Sequence, residues 1–273
     1  MPELPEVETF ARILRLGGRD NPSLVGSKIN GELLLWSRTL ASPSYPEFHS
    51  HILGQTIQDI GRRGKFLLFT LSSDTLIIHL RMSGDLLVET ESAPIGKHYR
   101  LVLNLQDGLR LAFNDPRKFG RVWLTADPDT VLGDLGPEPL DESFTAQVLY
   151  ERLHLYRRQL KPLLLDQTFL AGLGNIYSDE ALHMAKLHPS TLSHNLTPDQ
   201  AERLWLSICT VLREGIRRNG ASIDWVYRGG DFQNYFRVYR RTGQPCPVCG
   251  TPIQRLVIGQ RSTHYCPTCQ PFL

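Results

Sequence analysis

The chain has no long hydrophobic run: its longest apolar stretches, such as Thr75 to Leu80 and Leu163 to Leu165, fall far short of the ~20 residues that cross a bilayer as a helix. It also lacks the basic-then-apolar opening of a secretory signal, its first residues being acidic. A cytoplasmic protein with no membrane partner is therefore expected. Internal repeats and low-complexity tracts are absent, which argues against a solenoid or a long disordered tail. Cysteine is scarce, with Cys209 alone outside the last tenth of the chain, so no disulfide framework is needed to fold the bulk of 273 residues. That length suffices for two compact domains, or one large one, with a real core.

Lysine is missing from Gly215 to Leu273. There eight arginines face two acids, a net +6, which leaves 22 basic against 26 acidic residues, net −4, in the rest of the chain. The asymmetry points to a C-terminal segment that meets a polyanion, although a solvated basic face would read the same.

Cys246-Pro-Val-Cys249 and Cys266-Pro-Thr-Cys269 are separated by sixteen residues. Two such pairs on facing turns suit one tetrahedral zinc ion bound by four thiolates. Disulfides are the alternative, disfavoured in a reducing cytosol. Cys209, within a helical pattern, reads as a small buried hydrophobe.

Val7, Phe10, Ala11 and Leu14 share one face of a helix over residues 4 to 16, with Pro5 near its start and Gly17-Gly18 at its end. Strands follow at Phe66–Leu71, Leu76–Met82, Leu86–Glu89, Tyr99–Leu105, Leu109–Phe113 and Val122–Leu124, and Asp107-Gly108 supplies a hairpin turn. This spacing predicts an antiparallel β-sandwich better than βαβ units. Asp127 to Leu140, rich in Pro and Gly, reads as a linker. Helical periodicity then covers Phe144–Tyr156, Pro162–Phe169, Ile176–Ala185 and Pro198–Arg218, the last behind a Thr197–Gln200 capping box. A zinc-stapled β-hairpin from about Phe236 closes the chain. The class is α+β, with boundaries expected at 1–134, 135–235 and 236–273.

The opening Met1-Pro2-Glu3-Leu4-Pro5-Glu6 has a chemical consequence. A small Pro2 permits removal of Met1, exposing a secondary amine with a reference pKa near ~8, against ~10.4 for lysine. Such an amine condenses with an aldehyde-like carbon to a cationic iminium, an electron sink for elimination. The alternative is that Pro2 and Pro5 only start a helix. Taken singly, Lys65 could be a strand-end lysine, Met82 and Phe119 core residues, and Asn175 a helix N-cap. Glu6 at a helix N-terminus is explained equally by the helix dipole.

Together these segments resemble the bacterial formamidopyrimidine-DNA glycosylase (Fpg/Nei) family. The resemblance rests on Pro2-Glu3-Leu4-Pro5-Glu6, Gly64-Lys65, the His79 to Gly84 and Asn114 to Gly120 segments, Gly172-Leu173-Gly174-Asn175-Ile176-Tyr177, and the Gly259 to Cys266 segment. Leu4 is similar to the oxidised-purine branch; the pyrimidine branch tends to have Gly there.

The resemblance implies a glycosylase and abasic-site lyase of base excision repair acting on damaged double-stranded DNA as a monomer in the bacterial cytosol or nucleoid. It implies an N-terminal catalytic sandwich with flanking helices, a helix-two-turn-helix DNA-binding domain and a C-terminal zinc finger. Pro2 is the implied nucleophile at C1′ and Glu3 the acid that protonates the sugar ring oxygen, a role that needs partial burial. Lys65 and Arg261 are implied to hold phosphates at the lesion. Met82, Arg117 and Phe119 would fill the void left by an everted nucleotide. Asn175, at the start of a helix, would share the phosphate clamp with Arg261. His79 and Tyr239 are further backbone contacts, and Glu6 lines the lesion pocket. One structural zinc and no catalytic cofactor are implied.

The sequence departs from the family between Gly220 and Tyr239, where the lesion-covering loop is shorter and differs in detail, which puts damage preference in question. An oxidised-pyrimidine glycosylase of endonuclease VIII type is the nearest alternative. A non-catalytic zinc DNA-binding protein is the alternative from another class.

Overall fold

The computed structural model describes residues 1–18, 21–222 and 229–272. The chain forms two compact units, Met1–Asp134 with Ser222–Gly229, and Leu135–Ala221 with Gly230–Leu273.

In the first unit α1 (Leu4–Leu16) starts almost at once, because Pro5 presets the backbone of its first turn and Glu3 and Glu6 close a capping box. Val7, Phe10, Ala11 and Leu14 are all buried, as an amphipathic stripe requires. Gly17, at φ +79°, ends the helix with its N–H on the Ile13 carbonyl at 2.9 Å. The chain continues through β1 (Ile29–Leu34), β2 (Leu40–Ser42), α2 (Tyr45–Ile52), β3 (Ile57–Arg63), β4 (Phe66–Leu71), β5 (Thr75–His79), β6 (Asp85–Thr90), β7 (Tyr99–Leu105), β8 (Leu109–Asn114), β9 (Arg121–Thr125) and the single turn α3 (Asp129–Leu132).

Two sheets result, β1-β7-β8-β6 and β2-β9-β5-β4-β3. All pairs are antiparallel except β2 with β9 at the edge of the larger sheet. The parallel pair departs from the antiparallel expectation, since a three-residue strand carries no alternation to read. Phe69, Leu76, Ile78 and Val122 of one sheet and Leu101, Leu103 and Phe113 of the other share a core with α1. Each such buried side chain contributes about 1.5–3 kcal/mol.

Both faces of β7 are buried. Leu101, Leu103 and Leu105 enter the main core, whereas Tyr99 and Val102 join Ala112 in a second cluster. Asp107-Gly108 turns β7 into β8 with Gly108 at φ +71°, a left-handed value that glycine adopts without strain.

The second unit contains α4 (Ala146–His154), α5 (Leu160–Leu165), α6 (Asn175–Met184), α7 (Pro198–Arg217), β10 (Gln254–Ile258) and β11 (Arg261–Tyr265). α5 lies earlier than periodicity suggested, because Pro162 is tolerated in a first turn. It stops at Leu165, and the Phe169 and Leu170 amides then fold back onto the Asp166 carbonyl at 3.0 Å each. α7 has the expected cap, the Thr197 hydroxyl accepting from the Gln200 amide at 3.3 Å and the Gln200 side chain accepting from the Thr197 amide at 2.9 Å. Cys209 is buried, its thiol donating to the Pro139 carbonyl at 3.3 Å and its pKa raised by that burial. Among the described residues no helix is long and apolar enough to cross a membrane.

Candidate nucleic-acid interface and metal centre

Pro2 and Glu3 are both buried at the mouth of α1. The Glu3 amide donates to Glu6 Oε2 at 2.7 Å, while the Glu3 side chain accepts from the Glu6 amide. Glu6 thereby uses one carboxylate oxygen to fix the segment that carries Pro2 and Glu3.

Lys65 lies in the two-residue turn between β3 and β4, where Gly64 at φ +56° permits the tight reversal. It is 5% exposed, unlike an ordinary strand-end lysine. His79 pairs with Phe66, the residue after Lys65, and their rings meet edge-on with centroids 4.6 Å apart. The Arg81 amide donates to His79 Nδ1 at 2.9 Å, so the ring proton resides on Nε2. Burial, reinforced by the Arg81 and Lys65 cations, pushes the imidazole down to about 3. His79 is therefore a neutral Nε2–H donor, suited to an acceptor oxygen.

Met82 is 41% and Phe119 48% exposed, so neither is a core residue. Arg117 places its guanidinium 5.0 Å from the centroid of the Phe119 ring, a cation–π contact. The two turns that carry these side chains are joined through Asp115, which is 1% exposed. Asp115 accepts from the Ser83 hydroxyl, from the Arg117 amide at 3.2 Å and from the Gly120 amide at 2.7 Å. Its carbonyl takes Arg100 Nε at 2.7 Å. The glycines that end both motifs leave no room for a side chain: a Cβ at Gly84 would lie 2.4 Å from the Leu80 carbonyl oxygen and 2.8 Å from the Phe113 ring, and one at Gly120 2.2 Å from that ring. Lys118, at φ +61°, sets its ammonium 3.9 Å over the Trp36 ring.

In the second unit Gly174 caps α6 and Asn175 is its first residue, so Asn175 is not the N-cap. Asn175 Nδ2 donates to the Ser262 carbonyl at 2.9 Å, next to the exposed Arg261. Arg261 opens β11 immediately after the turn Gly259-Gln260, whose φ values of +56° and +62° form a two-residue hairpin. One turn into α6, Asp179 is wholly buried with Lys161, whose ammonium donates to Asp179 Oδ1 at 2.5 Å, Ser178 Oγ at 2.7 Å and the Asn175 carbonyl at 3.0 Å. Asp179 Oδ2 accepts the His264 amide at 2.9 Å and lies 2.9 Å from its ring Nδ1. Glu180 accepts the amides of Arg237, Val238 and Tyr239 at 2.8, 3.0 and 2.9 Å. Burial pushes its carboxyl pKa up, while these amides and Arg237 pull it down. The Tyr239 ring, half-buried, packs edge-on against His264 at 5.1 Å.

The Sγ atoms of Cys246, Cys249, Cys266 and Cys269 all lie within 4.8 Å of one another. The shorter approaches are 3.4 Å for Cys249 to Cys266 and 3.9 Å for Cys246 to Cys269, well beyond a disulfide bond of about 2.05 Å. They match the ~3.8 Å edge of a tetrahedron built with Zn–S bonds of about 2.3 Å. Hydrogen bonds involving Thr251 lower the Cys249 thiol to about 6, whereas burial and the neighbouring thiols raise Cys266 and Cys269. Sulfurs this crowded all ionise only around a cation, so the donor set fits zinc.

Several residues escaped the sequence reading. Asp115 and Ser83 lie inside the quoted motifs, and an Asp-Pro at a turn is a signal for an acceptor of nearby amides. Lys161 is the one charge in the helix Leu160–Leu165, a pattern that asks for a buried partner. Glu180 and His264 carry no such local mark. The divergence read between 221 and 238 falls partly on residues 223–228, which lie outside the described residues.

Family models match along the chain: the formamidopyrimidine-DNA glycosylase N-terminal domain over residues 1–122, its H2TH domain over 135–226, and a zinc finger found in FPG and IleRS over 243–271. The chain is 45% identical to a formamidopyrimidine-DNA glycosylase of Pelotomaculum thermopropionicum, covering 99% of both chains. It is 48% identical to that of Chloroflexus aurantiacus, over 99% of this chain and 98% of the relative. A crystal structure of the Lactococcus lactis enzyme with Fapy-dG-containing DNA superposes with a TM-score of 0.91 at 37% identity, over 99% of this chain and 100% of that one. With its sandwich, its helical unit and its four-cysteine hairpin each matched, the chain belongs to the formamidopyrimidine-DNA glycosylase family.

Proposed function

We propose that the chain excises oxidised purines, formamidopyrimidines and 8-oxoguanine, from duplex DNA and then cleaves the abasic strand, with Pro2 as nucleophile. The burial of Pro2 beside Glu3 at a capped helix start is the observation that supports this most. While Met1 is attached, the Pro2 nitrogen is an amide without a reactive lone pair, so the acting form is the one from which Met1 has been cleaved.

The freed amine attacks C1′ of the everted nucleotide and the bond to the damaged base breaks. Glu3 protonates the sugar ring oxygen as the ring opens, and the nitrogen retains C1′ as an iminium. The iminium acidifies the neighbouring C–H, so the 3′ phosphate leaves by β-elimination. A δ-elimination releases the 5′ phosphate, leaving a one-nucleotide gap with phosphate ends, and water hydrolyses the iminium so that the unsaturated sugar remnant departs as an aldehyde and the Pro2 amine is freed. Lys65 and neutral His79 contact phosphate oxygens near the sugar, and Arg261 and Asn175 clamp the flanking phosphates. Tyr239 adds a backbone contact, and Glu6 lines the lesion pocket while bracing Glu3. Met82 and Phe119 occupy the vacated stack, and Arg117 hydrogen-bonds the orphaned base. Cys246, Cys249, Cys266 and Cys269 hold a zinc whose part is structural, since four thiolates leave no open coordination position.

In this reading residues 1–134 carry the chemistry, 135–235 the helix-two-turn-helix contacts and 236–273 the finger, and the enzyme works as a cytosolic monomer without a catalytic cofactor. A secondary activity on oxidised pyrimidines is supported by a Lactococcus lactis relative, 38% identical, that was solved with oxidised-pyrimidine DNA; single-lesion duplexes rank the two.

Borohydride trapping tests the nucleophile. Protein whose intact mass shows loss of Met1 should form a covalent adduct with lesion-bearing duplex, and Pro2→Gly, equally processed, should lose most of it. An undiminished adduct in Pro2→Gly would falsify the assignment.

A further inference from the structure

Four side chains of α6 reach the segment that forms the metal-binding hairpin. Asn175 donates to the Ser262 carbonyl, Asp179 accepts from the His264 amide, and Glu180 accepts from the amides of residues 237–239. The fourth, His183, has no part in the reaction described above. It is 3% exposed, and its Nε2 lies 3.4 Å from Cys246 Sγ.

A zinc-bound sulfur is a thiolate and can only accept. In the loaded protein the proton of a neutral His183 ring must therefore sit on Nε2, which leaves Nδ1 as a bare acceptor. His183 Nδ1 is buried with no partner among the described residues. That is the tolerable arrangement, because a stranded acceptor is less rare in folded proteins than a stranded N–H.

We infer that His183 is a positioning residue of the metal centre, donating Nε2–H to the Cys246 thiolate and tying that ligand to the last turn of the helix that begins at Asn175. The bond withdraws electron density from the sulfur, so a competing chelator displaces it less easily. It also couples zinc retention to the same helix that sets Asn175 beside the Arg261 hairpin. The inference depends on the four-cysteine zinc site and is independent of the Pro2 chemistry.

The test uses full-length, zinc-loaded protein and reads metal release to a chromogenic chelator. His183→Phe keeps a buried ring and removes the donor; His183→Gln keeps an N–H at the reach of Nε2. His183→Phe should release zinc about tenfold faster, the low end of what loss of an outer hydrogen bond to a metal ligand costs, and should shift the thiolate-to-metal charge-transfer band of the cobalt-loaded form. His183→Gln should stay near the wild-type rate. Equal release from His183→Phe and wild type, or His183→Gln releasing as fast as His183→Phe, overturns the proposal. Should His183→Phe not fold, ¹⁵N spectra of the cadmium-loaded wild type decide: the proposal requires the Nε2–H tautomer with its proton coupled to the metal, and an Nδ1–H tautomer overturns it.

Discussion

In the first unit Met82, Arg117 and Phe119 stand on turns braced by one buried carboxylate, Asp115, whose partners are a hydroxyl and backbone amides. In the second unit the groups that would meet DNA are braced by α6, whose buried face carries Asp179 and Glu180, with Lys161 of α5 paired to Asp179. The difference follows from what each must present. Met82 and Phe119 are apolar and exposed, and water would press them inward, so their turns need stiff backbone hydrogen bonds. The second unit presents Arg261 and Asn175, polar groups that water welcomes; what needs fixing there is a helix against a hairpin. Asp179 and Glu180 do this over long sequence separations, and the desolvation cost of the Lys161–Asp179 pair behind them makes the arrangement brittle when one partner is lost.

Four substitutions test that contrast. Lys161→Met should cost the most, about 3–5 kcal/mol in urea unfolding, because Asp179 is left charged and buried. A loss under about 1 kcal/mol would mean the pair is not the brace claimed. Asp115→Ala should cost about 2–3 kcal/mol, through amides left without an acceptor, and should depress incision further than stability alone explains.

His79 comes next. Its ring is neutral in the fold down to about pH 3 but titrates near 6.5 when unfolded, so unfolding takes up a proton between those values. Stability must then rise with pH across that window, and fall as acid is added, by about 1.4 kcal/mol per pH unit for this one group. His79→Gln should flatten the acid limb by about 2 kcal/mol at pH 5 relative to pH 7; an unchanged limb refutes the neutral assignment. Phe119→Ala should move stability by less than about 0.5 kcal/mol, as exposed positions do, yet lower incision of lesion duplex. A stability loss above 1 kcal/mol would place the ring in a core after all.

Local chemistry was legible. The span of α1, the limits of β7, the Thr197 cap and the hairpin of paired cysteines each depend on residues a few positions apart. β1, β3 and α2 were not read, for physical reasons: Gly31, Asp59 and Arg62 interrupt any alternation, and α2 buries only Phe48 and Ile52, too narrow a stripe to mark a helix. The site divided the same way. The motif residues could be named from the chain, whereas Lys161 gave only a hint and Glu180 and His183 gave none.

From the order of residues alone came the capped N-terminal helix, the turn types and the metal donors, since these arise from backbone preferences and ligand spacing within one short segment. Folding alone brought Ser83 to Asp115 across 32 residues, His183 to Cys246 across 63 and Asp179 to His264 across 85. Such meetings depend on strand register and helix packing, which the whole core sets at once, so no stretch of the chain announces them.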